Sequence, residues 1–112
     1  MDCLFCKIVA GQIPSKKAYE DEAVYAFHDI DPKAPKHILV IPKKHLASLA
    51  DAQPGDEALL GRLLAATAQI AREHGLGKGY RVVISTGAEG GQTVGHLHLH
   101  LLGGRQMHWP PG

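Results

Sequence analysis

Three histidines, His96, His98 and His100, alternate with leucines in the run His96-Leu97-His98-Leu99-His100-Leu101-Leu102. In an extended strand successive side chains point to opposite faces, so the three imidazoles share one face and Leu97, Leu99 and Leu101 the other. Neighbouring imidazoles then start about 6.6 Å apart along the strand. The leucines are core material, so the histidines face a cleft or another chain. Charged imidazoles so close would repel, and they are expected to be neutral near pH 7 or paired.

Three chemistries fit such a face. It could be a surface strand that happens to carry histidines. It could be a three-histidine metal site of the kind catalytic zinc uses, although one flat strand converges poorly on a tetrahedral ion. It could also be a site for phosphorus chemistry, in which one neutral imidazole attacks, its neighbours hold oxygens and one protonates the leaving group. The surrounding sequence supplies parts for the third. Gly87, Gly90 and Gly91 can present backbone N–H groups to a phosphate, Thr93 adds a hydroxyl, and His37 opens a strand that could lie beside the triad.

The elements that must position this face follow from periodicity. Leu4, Phe5, Ile8 and Val9 have helical spacing within Cys3–Ala10, with Gly11 as a stop. A short edge strand at Ala18–Glu20, a turn at Asp21-Glu22 and an alternating strand at Val24–Ile30 follow. Asp31–Pro35 carries two prolines and reads as a loop. His37–Ile41 is a buried strand ended by Pro42. Leu59, Leu60, Leu63, Leu64, Thr67, Ile70 and Ala71 mark one long helix between Pro54 and Gly75. Arg81–Ser85 and Val94–Leu102 are the last two strands, joined through the Gly-rich turn. The expected fold is α+β, an antiparallel sheet of about five strands with one long and one short helix.

The chain of 112 residues, with no repeat or composition shift, predicts a single domain over 1–112. Net charge is +1, and the pairs Lys16-Lys17 and Lys43-Lys44 are too isolated to make a nucleic-acid stripe or a polybasic membrane tether. No apolar run approaches the ~20 residues that span a bilayer. The N-terminal residues lack a basic region followed by an apolar one, so no signal peptide is expected. With two cysteines there is no disulfide framework, and a reduced, cytoplasmic setting is expected. Cys3 and Cys6 share a helix face. They read as half a zinc site, as two small buried hydrophobes, or as a redox pair lacking its usual βαβ context.

The run from His96 to Leu102 resembles the His-φ-His-φ-His-φ-φ signature of the histidine triad (HIT) family. Phe27-His28-Asp29-Ile30, Ile41-Pro42-Lys43-Lys44-His45, Gly90-Gly91-Gln92-Thr93-Val94 and the tail 103–112 look like its Hint branch, the purine nucleoside phosphoramidases. The resemblance covers about Leu4 to Gly112. It implies a homodimer that hydrolyses adenosine or guanosine 5′-phosphoramidates to the nucleoside monophosphate and an amine, with no cofactor needed for catalysis. It makes His98 the nucleophile of a nucleotidyl-histidine intermediate. His100 would hold phosphate and assist proton transfer, His37 would complete the relay, and His96 would support His98. Gly91, Thr93 and Ser85 would contact phosphate, Asp29 would accept hydrogen bonds from the ribose, and Phe5, Ile8, Phe27 and Ile30 would line the base pocket. Each of these four is equally an ordinary core residue.

Trp109, in a tail expected to cross to the dimer partner, would lie near that partner's site. Some bacterial members with a similar Cys-x-x-Cys start hold zinc with two histidines, and the matching positions make Cys3, Cys6, His45 and His96 a structural zinc site. The chain departs from the branch at Ser85, where asparagine is usual, and the shorter hydroxyl bears on the phosphate contact and on turnover. The alternatives to the phosphoramidase are a nucleotide-binding regulatory protein with weak catalysis and a metal-dependent hydrolase using the histidine face.

Overall fold

The computed structural model describes residues 2–112. Five strands form one antiparallel sheet in the order β1-β2-β3-β5-β4: β1 (Lys17–Glu20), β2 (Val24–His28), β3 (Lys36–Pro42), β4 (Tyr80–Ile84) and β5 (Leu99–Gly103). The two sheet faces read directly from alternation along β2 and β3. Val24, Ala26, Ile38 and Val40 pack on the long helix α2 (Glu57–Glu73) through Leu63, Ala66, Ile70 and Ala71, and Leu97, Leu99 and Leu101 join that core. Tyr25, Phe27, Leu39 and Ile41 face the other way, against Phe5 and Ile8 of the short helix α1 (Leu4–Val9).

The caps explain where the helices stop and start. Cys3 caps α1, its Sγ accepting the Cys6 N–H at 3.4 Å. Gln53 and Asp56 form a capping box around a 3₁₀ turn at Pro54–Asp56 that leads into α2. Gly75, at φ +73°, takes the left-handed conformation that ends α2. Asp21 Oδ1 accepts the N–H groups of Ala23 and Val24 and shapes the turn between β1 and β2.

The predicted elements are present, with three corrections. The strand expected over Val24–Ile30 ends at His28. Leu64, placed on the apolar stripe of the long helix, is 54% exposed. The strand expected over Val94–Leu102 begins only at Leu99. Pairing on both sides begins there: β4 ends at Ile84, opposite Leu99, and β3 pairs Val40 with the same residue but runs on to Pro42 beside β2 alone. Residues 94–98 belong to no ladder, and the chain bends at Val94–His96 before it enters β5. The Leu97 N–H donates to the Leu46 carbonyl at 2.7 Å, and the His96 N–H turns back to the Val94 carbonyl.

Candidate active site and metal centre

On the α1 face a pocket of about 280 Å³ opens between α1, the end of β2 and the segment before β5. Phe5, Ile8, Phe27 and Ile30 line it, as the sequence suggested, and so do Asp29, Thr93, His98 and His100. Phe5 sets its ring edge-on to both Phe27 and His98, with centroids 5.4 and 5.2 Å apart. Ile30 is fully exposed at the mouth. The sequence reading did not assign Leu4, Ile13, Pro14, Ser15, His28, Leu39 and Val94 to the site, and they complete the lining. Leu4 carried a signal as part of the helical pattern, Leu39 as a residue of the buried strand, and His28 and Val94 as members of quoted motifs, but Ile13–Ser15 carried none. Ile13–Ser15 reach the pocket because the chain doubles back after α1, and Ser15 is fixed by a 2.7 Å hydrogen bond with Tyr25.

Hydrogen bonds set the tautomers of the site. His98 Nδ1 lies 2.7 Å from the His96 carbonyl, an acceptor only, so Nδ1 carries the proton and Nε2 is left with its lone pair. His37 Nδ1 accepts the Lys33 backbone N–H at 3.0 Å, which puts the His37 proton on Nε2. That nitrogen is 3.0 Å from His100 Nδ1 and donates to it, leaving His100 with an Nε2–H. The site thus holds one imidazole with a free lone pair and a neighbour, 4.9 Å away between ring centroids, with a free N–H. Asp29 Oδ2 stands 3.5 Å from His37 Nε2. Asp29, His37 and His100 have three donor atoms close enough for an ion. The Lys33 N–H argues for a proton relay instead, because a metal on His37 Nε2 would need the proton at Nδ1, against that donor.

Burial pushes His100 down to about 4 and holds His37 and His96 below the usual histidine range. For His100 the folded state disfavours the charged form. Stability from this residue is therefore complete above the ordinary histidine value near 6.5. It falls by up to ~1.4 kcal/mol per pH unit as the pH drops from there towards 4. The melting temperature of the protein should fall over this window more steeply than that of a His100→Gln variant, whose side chain does not titrate. Parallel melting curves between pH 7 and pH 4 would count against the assignment.

His96 turns away from the pocket. Its Nε2–H donates to the Pro42 carbonyl at 2.9 Å, and its Nδ1 lies 3.3 Å from Cys3 Sγ, 3.6 Å from Cys6 Sγ and 3.1 Å from His45 Nδ1. Cys6 Sγ is 3.4 Å from His45 Nδ1. A tetrahedron with zinc bonds of about 2.0–2.3 Å has edges of about 3.3–3.8 Å, so the four donors are compatible with a structural zinc ion. The His96 hydrogen bond to Pro42 is the kind of outer contact that fixes a metal-bound imidazole.

Three of the predicted nucleotide-binding residues lie outside the pocket lining, as do His37 and His96 of the predicted catalytic set. Ser85 follows β4 and is half-buried, and Gly91 is exposed on the Gly-rich loop. Trp109 is 82% exposed, with the Arg81 guanidinium 6.0 Å from its ring, and Arg81 also donates to the His108 carbonyl. Residues 10–107 match the HIT domain. The chain belongs to the HIT domain family. It is 53% identical to a 14 kDa zinc-binding protein of Zea mays, over 97% of this chain and 87% of that one. Among solved structures it is similar to a HIT family hydrolase from Legionella pneumophila Philadelphia 1, with 51% identity and a TM-score of 0.97 over 99% of this chain and 100% of that one. A histidine triad nucleotide-binding protein from Candida albicans gives 34% identity and a TM-score of 0.84 over 97% and 83%. HIT membership and the antiparallel five-stranded fold thus stand. The described residues include no helix long and apolar enough to cross a membrane.

Proposed function

We propose that this HIT protein is a purine nucleoside phosphoramidate hydrolase of the Hint branch, working through a nucleotidyl intermediate on His98. The observation that carries this reading is the tautomer pattern, with a lone pair on His98 Nε2 and an N–H on His100 at one pocket. The base lies among Phe5, Ile8, Phe27 and Ile30, and the Asp29 carboxylate accepts hydrogen bonds from the ribose diol. His98 Nε2 attacks phosphorus as the P–N bond breaks, and the leaving nitrogen takes a proton delivered through His100. A water then attacks phosphorus, its proton returns to His100, and the nucleoside monophosphate leaves His98. Gly91, Thr93 and Ser85 stand on the phosphate side. The names of the Legionella and Candida proteins, a hydrolase and a nucleotide-binding protein, support the same reading.

Zinc held by Cys3, Cys6, His45 and His96 is structural in this proposal, and the zinc-binding maize relative supports it. Bound there, the ion would join α1 to the segment carrying His98. Catalysis needs no cofactor. A homodimer accords with the position of β4 at the sheet edge and with exposed Tyr80, Leu64 and Trp109, and the tail 103–112 reaches the partner. Two free cysteines suit a cytoplasmic setting. Ser85, outside the pocket lining, favours the second reading, a nucleotide-binding regulator with weak catalysis. A fluorogenic adenosine 5′-phosphoramidate decides between them. We expect turnover that persists in the presence of a chelator. AMP binding without turnover would favour the regulator and make Ser85→Asn the first variant to assay.

A further inference from the structure

Between Ile84 and Leu99, the last pair of the β4–β5 ladder, the chain makes a loop that carries Thr93, Val94 and His98 into the pocket. A loop that long must be held by something other than the ladder. His96 holds its C-terminal end through Pro42 and the thiol cluster. The other end is held by one side chain. Gln92 Oε1 accepts the Gly87 N–H at 3.0 Å, and its Nε2 donates to the Ala47 carbonyl at 2.7 Å and the Val94 carbonyl at 2.9 Å. The Gln92 N–H donates back to the Gly87 carbonyl at 3.1 Å, closing a two-point clasp over residues 87–92. Inside that clasp Gly90 sits on the Thr86 backbone so closely that a Cβ there would collide with the Thr86 carbonyl.

These bonds use three of the four hydrogen-bonding capacities of one amide, both donors and one acceptor site. They fix the loop to itself, to the segment after His45 and to Val94 at the bend before β5. Thr93, next in sequence, lines the pocket with His98 and His100 and is exposed to an entering ligand. Its own side chain makes no hydrogen bond within the described residues that would fix it.

We propose that Gln92 is a positioning residue for the phosphate end of the nucleotide, acting through Thr93 and the loop backbone and touching no substrate itself. This rests on the nucleotide reading of the pocket. It distinguishes the two ends of the ligand: α1 and the end of β2 supply most of the wall for the base and ribose, with only Val94 from the loop, and Gln92 makes no hydrogen bond to either element, whereas the phosphate lies against the loop.

The test compares AMP with adenosine, which fills the base and ribose regions and lacks the phosphate. Gln92→Met keeps the length of the side chain and removes all three bonds. Losing hydrogen bonds that fix a phosphate-binding group should weaken AMP by about tenfold while adenosine binds as in the parent. Gln92→Ala, which cannot overfill the clasp, should do the same. Thr93→Ala should weaken AMP comparably, and the Gln92→Met/Thr93→Ala double variant no further than the stronger single change, since one residue acts through the other. Equal losses for AMP and adenosine would make Gln92 merely structural and overturn the proposal, as would additive effects in the double variant. A parent protein that binds adenosine and AMP equally would instead remove the phosphate site itself, and with it the nucleotide reading on which Gln92's role depends.

Discussion

Replacing His98 with alanine should lower the turnover of an adenosine 5′-phosphoramidate by at least ~10⁴-fold while AMP still binds, because in the proposed mechanism the residue is the nucleophile and not a binding group. The size of the effect follows from geometry. His98 Nδ1–H is held by the His96 carbonyl at 2.7 Å, so the lone pair on Nε2 is fixed towards the pocket and no rotation or proton shift is needed before attack. His98 is buried with Phe5 against its ring, so alanine leaves space that a water can enter but no group that can form the covalent intermediate. His100→Ala should cost less, because water can replace a proton donor in part. His37→Ala should cost less again, since His37 acts on His100 from behind. Acid quenching during turnover, followed by mass spectrometry, should find the nucleotidyl adduct on His98 in the parent. Retention of a tenth or more of the parental rate by His98→Ala would reject covalent catalysis by this residue.

That ranking was legible in the sequence only in part, and the histidine run shows why. Period-two alternation placed Leu97, Leu99 and Leu101 in the core and the histidines on the α1 side, which is where they lie. Alternation reports an extended chain, whether or not the chain is paired. It could not reveal that the ladder starts at Leu99, because that depends on where β4 ends and where the chain bends away from β3. Nor could it separate the tasks of the three rings. His96 leaves the pocket because the Pro42 carbonyl and the α1 thiols attract its two nitrogens, and both partners are distant in sequence. The Lys33 N–H that fixes the His37 tautomer is a backbone group and leaves no mark on residue type at all. Leu64 failed for a different reason: helical periodicity cannot say how wide a stripe one sheet will cover. Phe5, Ile8, Phe27 and Ile30, expected to line a base pocket, do line one pocket together, but the share of Ile13–Ser15 in it depends on how the chain turns after α1.

The second large effect concerns the four donors beneath His98. The protein purified without chelator should carry about one zinc per chain, and Cys6→Ser should abolish it, because a closed site with three strong ligands holds the ion far less tightly. Stripping the metal should lower the melting temperature by about 10–20 °C without unfolding the protein at 25 °C. The fold survives because α2 and the sheet bury a core that does not include the thiols. The loss is nevertheless large. Cys3 and Cys6 anchor α1, and without an ion His45 Nδ1 and His96 Nδ1 face each other at 3.1 Å with at most one proton between them. Burial and the neighbouring Cys3 push the Cys6 thiol up, so without metal Cys6 is held as a neutral thiol and zinc uptake releases its proton. Catalysis should respond differently from stability. The His96 carbonyl orients His98, and freeing the His96 ring loosens that carbonyl, so kcat should fall by about 10–100-fold at temperatures where the stripped protein is folded. The loss should be restored by zinc, and equally by cobalt, whose bands in the visible spectrum would report two thiolate ligands. A stripped protein with unchanged melting temperature and unchanged kcat would mean that the four side chains pack together without an ion, as two small hydrophobes and a pair of hydrogen-bonded imidazoles.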